Sequence, residues 1–132
     1  MTRAELEELP ILIKKRATYE ERIMRLRVSI LRTTPQLDGM PHGGQQRDLM
    51  AEYAARLDAL ERQLMETETE INARIQIVEE TVRRLPMRQC AVVWMRYVDG
   101  MSWEKIAREL HYSKRNLYYL HRDAIKNLKC LH

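Results

Sequence analysis

Between Leu49 and Leu85 one stripe of side chains recurs at steps of four and three: Leu49, Tyr53, Leu57, Leu60, Leu64, Thr67, Ile71, Ile75, Val78, Val82 and Leu85. Held over roughly five heptads, that spacing keeps one seam of an α-helix turned toward a partner helix. It predicts a long coiled-coil-like helix from about Gln45 to Arg84. The composition agrees with a helical chain: 132 residues with 8 Met, no Phe and only 4 Gly leave little for the turns and aromatic layers of an all-β fold.

A second helical pattern precedes it. Thr2 and Glu5 have the spacing of a capping box, hydroxyl and carboxylate each satisfying an amide at a helix start. Leu6, Leu9, Ile13, Ala17, Ile23, Leu26 and Ile30 then follow, mostly at three- and four-residue steps. Pro10 interrupts them, either as a kink or as the first residue of a helix that starts there. Residues 33–44 read TTPQLDGMPHGG, with two of the four prolines and three of the four glycines, and predict a loop. One break between two long helices makes an antiparallel helical hairpin over residues 1–84. The first helix reads as about ten residues shorter than the second, so part of the seam is left for the C-terminal domain or for a second copy of the chain.

Charge is distributed unevenly. Residues 1–85 carry 14 Lys/Arg against 15 Asp/Glu, a net −1, whereas residues 86–132 carry 9 against 4, a net +5. All the excess positive charge lies in the last third, as phosphate-backbone binding requires. Charge alone equally suits RNA or an acidic protein.

The last third also has the strongest local signals. After Leu85-Pro86, the segment MRQCAVVWMRYVDG predicts a helix with Met87, Ala91, Trp94 and Met95 on one face, extended by Val98 and stopped at Asp99-Gly100. Ser102 is placed to cap a short helix from Trp103 to Leu110, with Glu104 in its first turn and Trp103, Ile106, Ala107 and Leu110 inward. His111-Tyr112 forms a turn, and Ser113 caps a last helix. Leu117, Leu120, Ala124 and Leu128 face inward on it with His121 beside them, leaving a basic and aromatic outer face. This is a helix-turn-helix, whose second helix enters the major groove by its N-terminal part. Lys114, Arg115, Tyr118 and Tyr119 are therefore the candidate base contacts, and Arg122, Lys126, Lys105 and Arg108 the candidate phosphate contacts. Either tyrosine has a second reading, packing inward against the first helix of the domain. Trp94 and Trp103 read as core aromatics rather than base-stacking platforms, and His121 as a half-buried residue of the recognition helix.

Those residues carry a family resemblance. RYVDGMSWEKIARELHYSKRNLYYLHRDAIKNL resembles region 4 of the bacterial sigma-70 factors, and with the loop TPQLDGMPHGG and the long helix it resembles phage and prophage regulators of the RinA/ArpU late-gene activator type. The resemblance implies a sigma-region-4-like activator encoded by a bacteriophage or prophage, acting on late genes and recruiting RNA polymerase. Tyr118 and Tyr119 depart from the Arg or Gln that sigma-like recognition helices often carry, so no base preference transfers.

Other functions find little support in the residues. Charged residues make up 32% of the chain, mean hydropathy is −0.54, and no apolar run approaches the roughly 20 residues of a membrane span. The N-terminal residues lack the pattern of a secretory signal, so the expected location is the bacterial cytoplasm. Cys90 and Cys130 fit no metal-ligand spacing and are expected as reduced thiols. Glu66, Glu68, Glu70, Glu79 and Glu80 lack the Glu-x-x-His partner of a helical-bundle metal site and read as a solvated face. Neither a cofactor, a metal nor an enzymatic activity is expected.

The expectation is an all-α protein: a helical hairpin over 1–84 that binds itself as a homodimer or binds RNA polymerase, and a helix-turn-helix over 85–132 that regulates transcription on double-stranded DNA. Residues 1–85 lack the basic and aromatic combination that captures melted strands, so the chain is expected to bind duplex DNA without opening promoters alone. Two other readings stand beside it. One is the DNA-recognition subunit of a phage packaging machine, similar to a small terminase; the other is a protein-interaction module whose basic domain meets an acidic partner.

Overall fold

The computed structural model describes the backbone of residues 1–37 and 43–130, and the side chains of residues 1–32 and 47–129. The described residues are all-α, without a strand: α1 (Arg3–Leu37), α2 (Gly43–Val82), α3 (Met87–Val93) running on as a π-helical turn (Trp94–Val98), α4 (Trp103–Leu110) and α5 (Lys114–Cys130). No described helix is long and apolar enough to cross a membrane. Two compact units emerge, one of Met1–Ile13 with Glu70–His132 and the other of Lys14–Thr69. The first unit thus draws in both the start of α1 and the end of α2, cutting the chain elsewhere than at residue 84.

The capping box forms at the start of α1. The Thr2 amide donates to Glu5 Oε2 at 3.1 Å and the Glu5 amide to Thr2 Oγ1 at 3.3 Å, so the helix begins at Arg3 and runs through Pro10. A loop over 33–44 is corrected at both ends, since α1 continues to Leu37 and α2 opens at Gly43. Pro35 has a fixed φ suited to a helix, and the first amides of α2 need no intrahelical partner. Residues 38–42 of that reading lie outside the described residues. With 35 residues in α1 and 40 in α2, the two helices are also closer in length than their apolar stripes imply.

In the unit of Lys14–Thr69 the two helices run antiparallel, with Arg27 Nη2 of α1 2.9 Å from Glu61 Oε1 of α2. The stripe on α2 is the inward one: Leu49, Tyr53, Leu57, Leu60 and Leu64 are half-buried and Thr67 is buried, its hydroxyl donating to the Gln63 carbonyl. On α1 the seam runs through Arg16, Tyr19, Ile23, Leu26 and Ile30. Ala17 is exposed, contrary to its place in the apolar pattern. A methyl group contributes little to a seam that the longer Arg16 and Tyr19 side chains cover with their stems and ring.

The other unit has two cores. Leu6 and Leu9 of α1, Ile71, Val78 and Val82 of α2, Val93 and Tyr97, and Ala124, Ile125 and Leu128 of α5 form the larger. Val92, Ile106, Ala107 and Leu117 form the smaller, with Met95, Met101, Trp103, Leu110 and Leu120 packed against it. The helix of α3 and its π-helical turn serves both cores, which overturns its reading as a one-faced helix. Met87 is 88% exposed, while Val92, Val93 and Tyr97 are buried. Val92 and Val93 are both inward because each serves a different core, and the wider turn that follows carries one extra residue and brings Tyr97 inward. The hydrogen bond of 3.0 Å from the Asp99 amide to the Trp94 carbonyl closes that turn.

Candidate nucleic-acid interface

Two helices with their own stop and start signals make the interface. Gly100, at φ 69°, ends the π-helical turn in the left-handed region where a Cβ is strained. Ser102 then accepts from the Lys105 amide at 3.2 Å and starts α4, with Glu104 favourably placed in the first turn. His111 ends α4 in a left-handed conformation (φ 58°, ψ 40°), and the Tyr112 amide reaches back to the Ala107 carbonyl at 2.9 Å. That closes a Schellman-type cap with histidine where glycine or asparagine is usual. Ser113 accepts from the Asn116 amide at 3.1 Å and starts α5. Residues 111–113 are the whole turn between α4 and α5.

The inward face of α5 fixes what its outer face presents. Leu117, His121, Ala124, Ile125 and Leu128 are buried, and Lys114, Arg115, Tyr118, Tyr119, Arg122 and Lys126 are exposed. Neither tyrosine packs into the domain: Tyr118 is 64% and Tyr119 38% exposed, their rings edge to face at 5.7 Å. The Arg115 and Arg122 guanidinium groups lie 5.8 and 4.9 Å from the centre of the Tyr119 ring. Cation–π contacts on both sides hold that ring on the surface. Lys114 Nζ is 3.4 Å from Glu104 Oε1, so α4 and α5 also meet through an exposed ion pair worth at most about 1 kcal/mol. Lys105 and Arg108 are exposed on α4. They line neither of the two clefts beside α5, one formed by Arg96, Trp103, Glu104, Lys114 and Tyr118 and the other by Arg3, Arg122, Lys126 and Lys129 among others.

Beneath this surface, Tyr97 Oη and His121 Nε2 share a buried hydrogen bond of 2.8 Å. Burial lowers the His121 pKa to about 4, with the Arg3 and Arg96 charges adding to the effect and Glu7 opposing it. Burial likewise raises the Tyr97 hydroxyl. Both groups are neutral near pH 7, and the contact is a structural tie between the π-helical turn and α5. The Trp103 ring meets His121 edge-on at 4.7 Å and carries the Arg96 guanidinium 4.5 Å from its centre. Trp94 and Trp103 are both half-buried against the cores, and His121, at 7% exposure, is more deeply set than the sequence suggests.

Arg96, Arg3 and Lys129 are the charged residues that sequence reasoning missed. Lys129 follows Lys126 and Arg122 on the outer face at helical spacing, a signal that was readable. Arg3 lies at the far end of the chain, and only the fold brings it beside α5. Among the described residues no group of three His, Cys, Asp or Glu side chains is arranged to hold a metal, and Cys90 is a free, half-buried thiol.

Compared with known proteins, residues 75–128 match the family model described as Sigma-70, region 4, somewhat less than half of the chain. The match takes in the end of α2 through most of α5, the stretch that supplies the smaller core and all of the larger one except Ile71 and the residues of the chain's start, Met1, Leu6 and Leu9. It supports a DNA-binding helix-turn-helix regulator similar to the sigma factors. No curated protein and no solved structure matches the chain.

Proposed function

We propose that this chain is a transcription regulator of a bacteriophage or prophage, a late-gene activator that binds duplex DNA in the bacterial cytoplasm and recruits RNA polymerase. One observation carries the DNA-binding part: a Ser-capped α4, a three-residue turn and a Ser-capped α5 whose outer face combines Lys114, Arg115, Tyr118, Tyr119, Arg122 and Lys126. A recognition helix enters the groove by its first turns, so the first four of these residues read base edges. Lysine and arginine suit guanine O6 and N7, while a tyrosine ring suits a thymine methyl or a phosphate. Arg122 and Lys126, with Lys105 and Arg108 on α4, hold phosphates.

The late-gene and polymerase parts rest on the resemblance of the sequence to the RinA/ArpU-type activators, and we assign the chain no catalytic step. The helical hairpin is its partner-binding segment, for a second copy or for polymerase. Transcription by host RNA polymerase from a template that the protein selects out of random duplexes tests the whole reading. Added protein is expected to raise transcript yield from that template and not from one lacking the selected site. Unchanged yield despite bound protein contradicts activation. A ring of six or more subunits by mass photometry points instead to a packaging subunit.

A further inference from the structure

The basic surface does not end with the helix-turn-helix. Arg3 of α1 lines one cleft with Arg122, Lys126 and Lys129 of α5, and Trp103, Tyr118 and Ile125 supply apolar walls. Of these four cations, Arg3 pairs with Glu7 at 2.9 Å and Arg122 with Asp123 at 3.2 Å. Lys126 and Lys129 have no ion-pair partner among the described residues. Four positive groups thus meet two carboxylates, and low-dielectric walls concentrate the remaining field. The Thr2–Glu5 box takes the Thr2 and Glu5 amides at the start of α1, and the attraction argued here is that of the side chains.

Position along α5 says what they attract. At a rise of 1.5 Å per residue, Lys129 stands about 22 Å from Lys114, well beyond the roughly 12 Å width of the major groove. With Lys114 and Tyr118 in the groove, the Lys129 end reaches past its wall. Phosphates are the partners there, not bases.

We propose that Arg3 joins Lys126 and Lys129 in a clamp on the phosphodiester backbone flanking the bases read by the start of α5. The proposal rests on the DNA-binding reading above and extends the interface to the first residues of the chain. Glu7 opposes the clamp twice, by holding Arg3 and by repelling phosphate.

Binding of the full-length chain to a selected duplex and to an unrelated one, across about 0.05 to 0.3 M salt, tests the clamp. Arg3→Gln and Lys129→Gln are each expected to weaken binding about 5- to 10-fold near 0.1 M salt, equally on both duplexes, and to reduce the salt slope by about one. Glu7→Gln is expected to tighten it on both. Unchanged thermal unfolding shows that each variant is folded. An Arg3→Gln variant with wild-type affinity and slope, alongside a weakened Lys126→Gln, overturns the clamp while leaving the DNA-binding reading intact. If the wild-type chain binds neither duplex, that reading fails and the clamp with it. Inorganic phosphate held by the wild type and not by Arg3→Gln, when that variant keeps wild-type duplex affinity, assigns the cleft to a free anion and overturns the proposal.

Discussion

His121 sits on α5 between the residues that meet solvent and those that fill the core, and its protonation bears on stability. Its folded pKa of about 4 lies below the ordinary 6.5, so the folded state refuses a proton that the unfolded chain accepts. Above pH 6.5 both states are neutral and the residue contributes no slope; as pH falls from there toward 4, stability is lost, by up to roughly 3 kcal/mol. Urea unfolding across that window is expected to show the loss in the wild type and a flatter profile in His121→Gln. Parallel profiles contradict the buried neutral imidazole. Ser113 separates fold from function in another way. Ser113→Ala is expected to cost about 1 kcal/mol through the lost cap, and Ser113→Asp to keep the cap. The aspartate, however, sets a negative charge beside the turn proposed to enter the groove. Wild-type thermal stability with greatly weakened duplex binding is the expected result for Ser113→Asp. At this scale the caps Thr2, Ser102 and Ser113 and the stop at Gly100 were all legible, because each acts through its immediate neighbours. His111 in the left-handed region and the Tyr97–His121 bond were not, since both are settled by what packs around them.

Elements show the same division between local and distant causes. The stripes on α1 and α2 and the inward face of α5 were legible as period signals, and all of their residues but Ala17 are buried or half-buried where expected. The helix after Pro86 was misread because it serves two cores and widens into a π-helical turn, so that Met87 faces out and Val92, Val93 and Tyr97 face in. The dependence of the helix-turn-helix on α1 was also not legible. Leu6 and Leu9 are fully buried in the core that holds Tyr97, Ala124 and Leu128, more than a hundred positions away for the last two. Leu9→Ala is therefore expected to destabilise the unit by about 2–5 kcal/mol in chemical unfolding. A fragment of residues 85–132 alone loses the α1 and α2 side of this core. Circular dichroism is expected to show no cooperative melt for it, and a sharp two-state melt from the fragment would contradict the shared core.

Across the whole molecule, charge and fold both favour α5 as the surface proposed to meet DNA. Residues 86–132 hold the net +5, and the fold turns much of that charge outward along α5 while the apolar side chains of the same helix close two cores. The match of residues 75–128 to sigma-70 region 4 covers most of the Glu70–His132 part of the first unit and leaves Met1–Ile13 and Lys14–Thr69 outside it. The Lys14–Thr69 hairpin is charge-rich, and each helix carries exposed i,i+4 ion pairs such as Arg25–Glu21 and Arg56–Glu52, each worth a few tenths of a kcal/mol. Its seam was legible; a partner for it leaves no such local signature.

The central claim, that the start of α5 reads duplex DNA, is tested most directly by comparing the wild-type chain with Lys114→Glu/Arg115→Glu. Fluorescence anisotropy on a selected and an unrelated duplex over a salt series is the measurement. The wild type is expected to prefer the selected duplex and to weaken steeply with salt, while the doubly reversed variant, with unchanged helix content and melting, loses both the preference and most of the affinity. Equal binding of both proteins to both duplexes would contradict the claim.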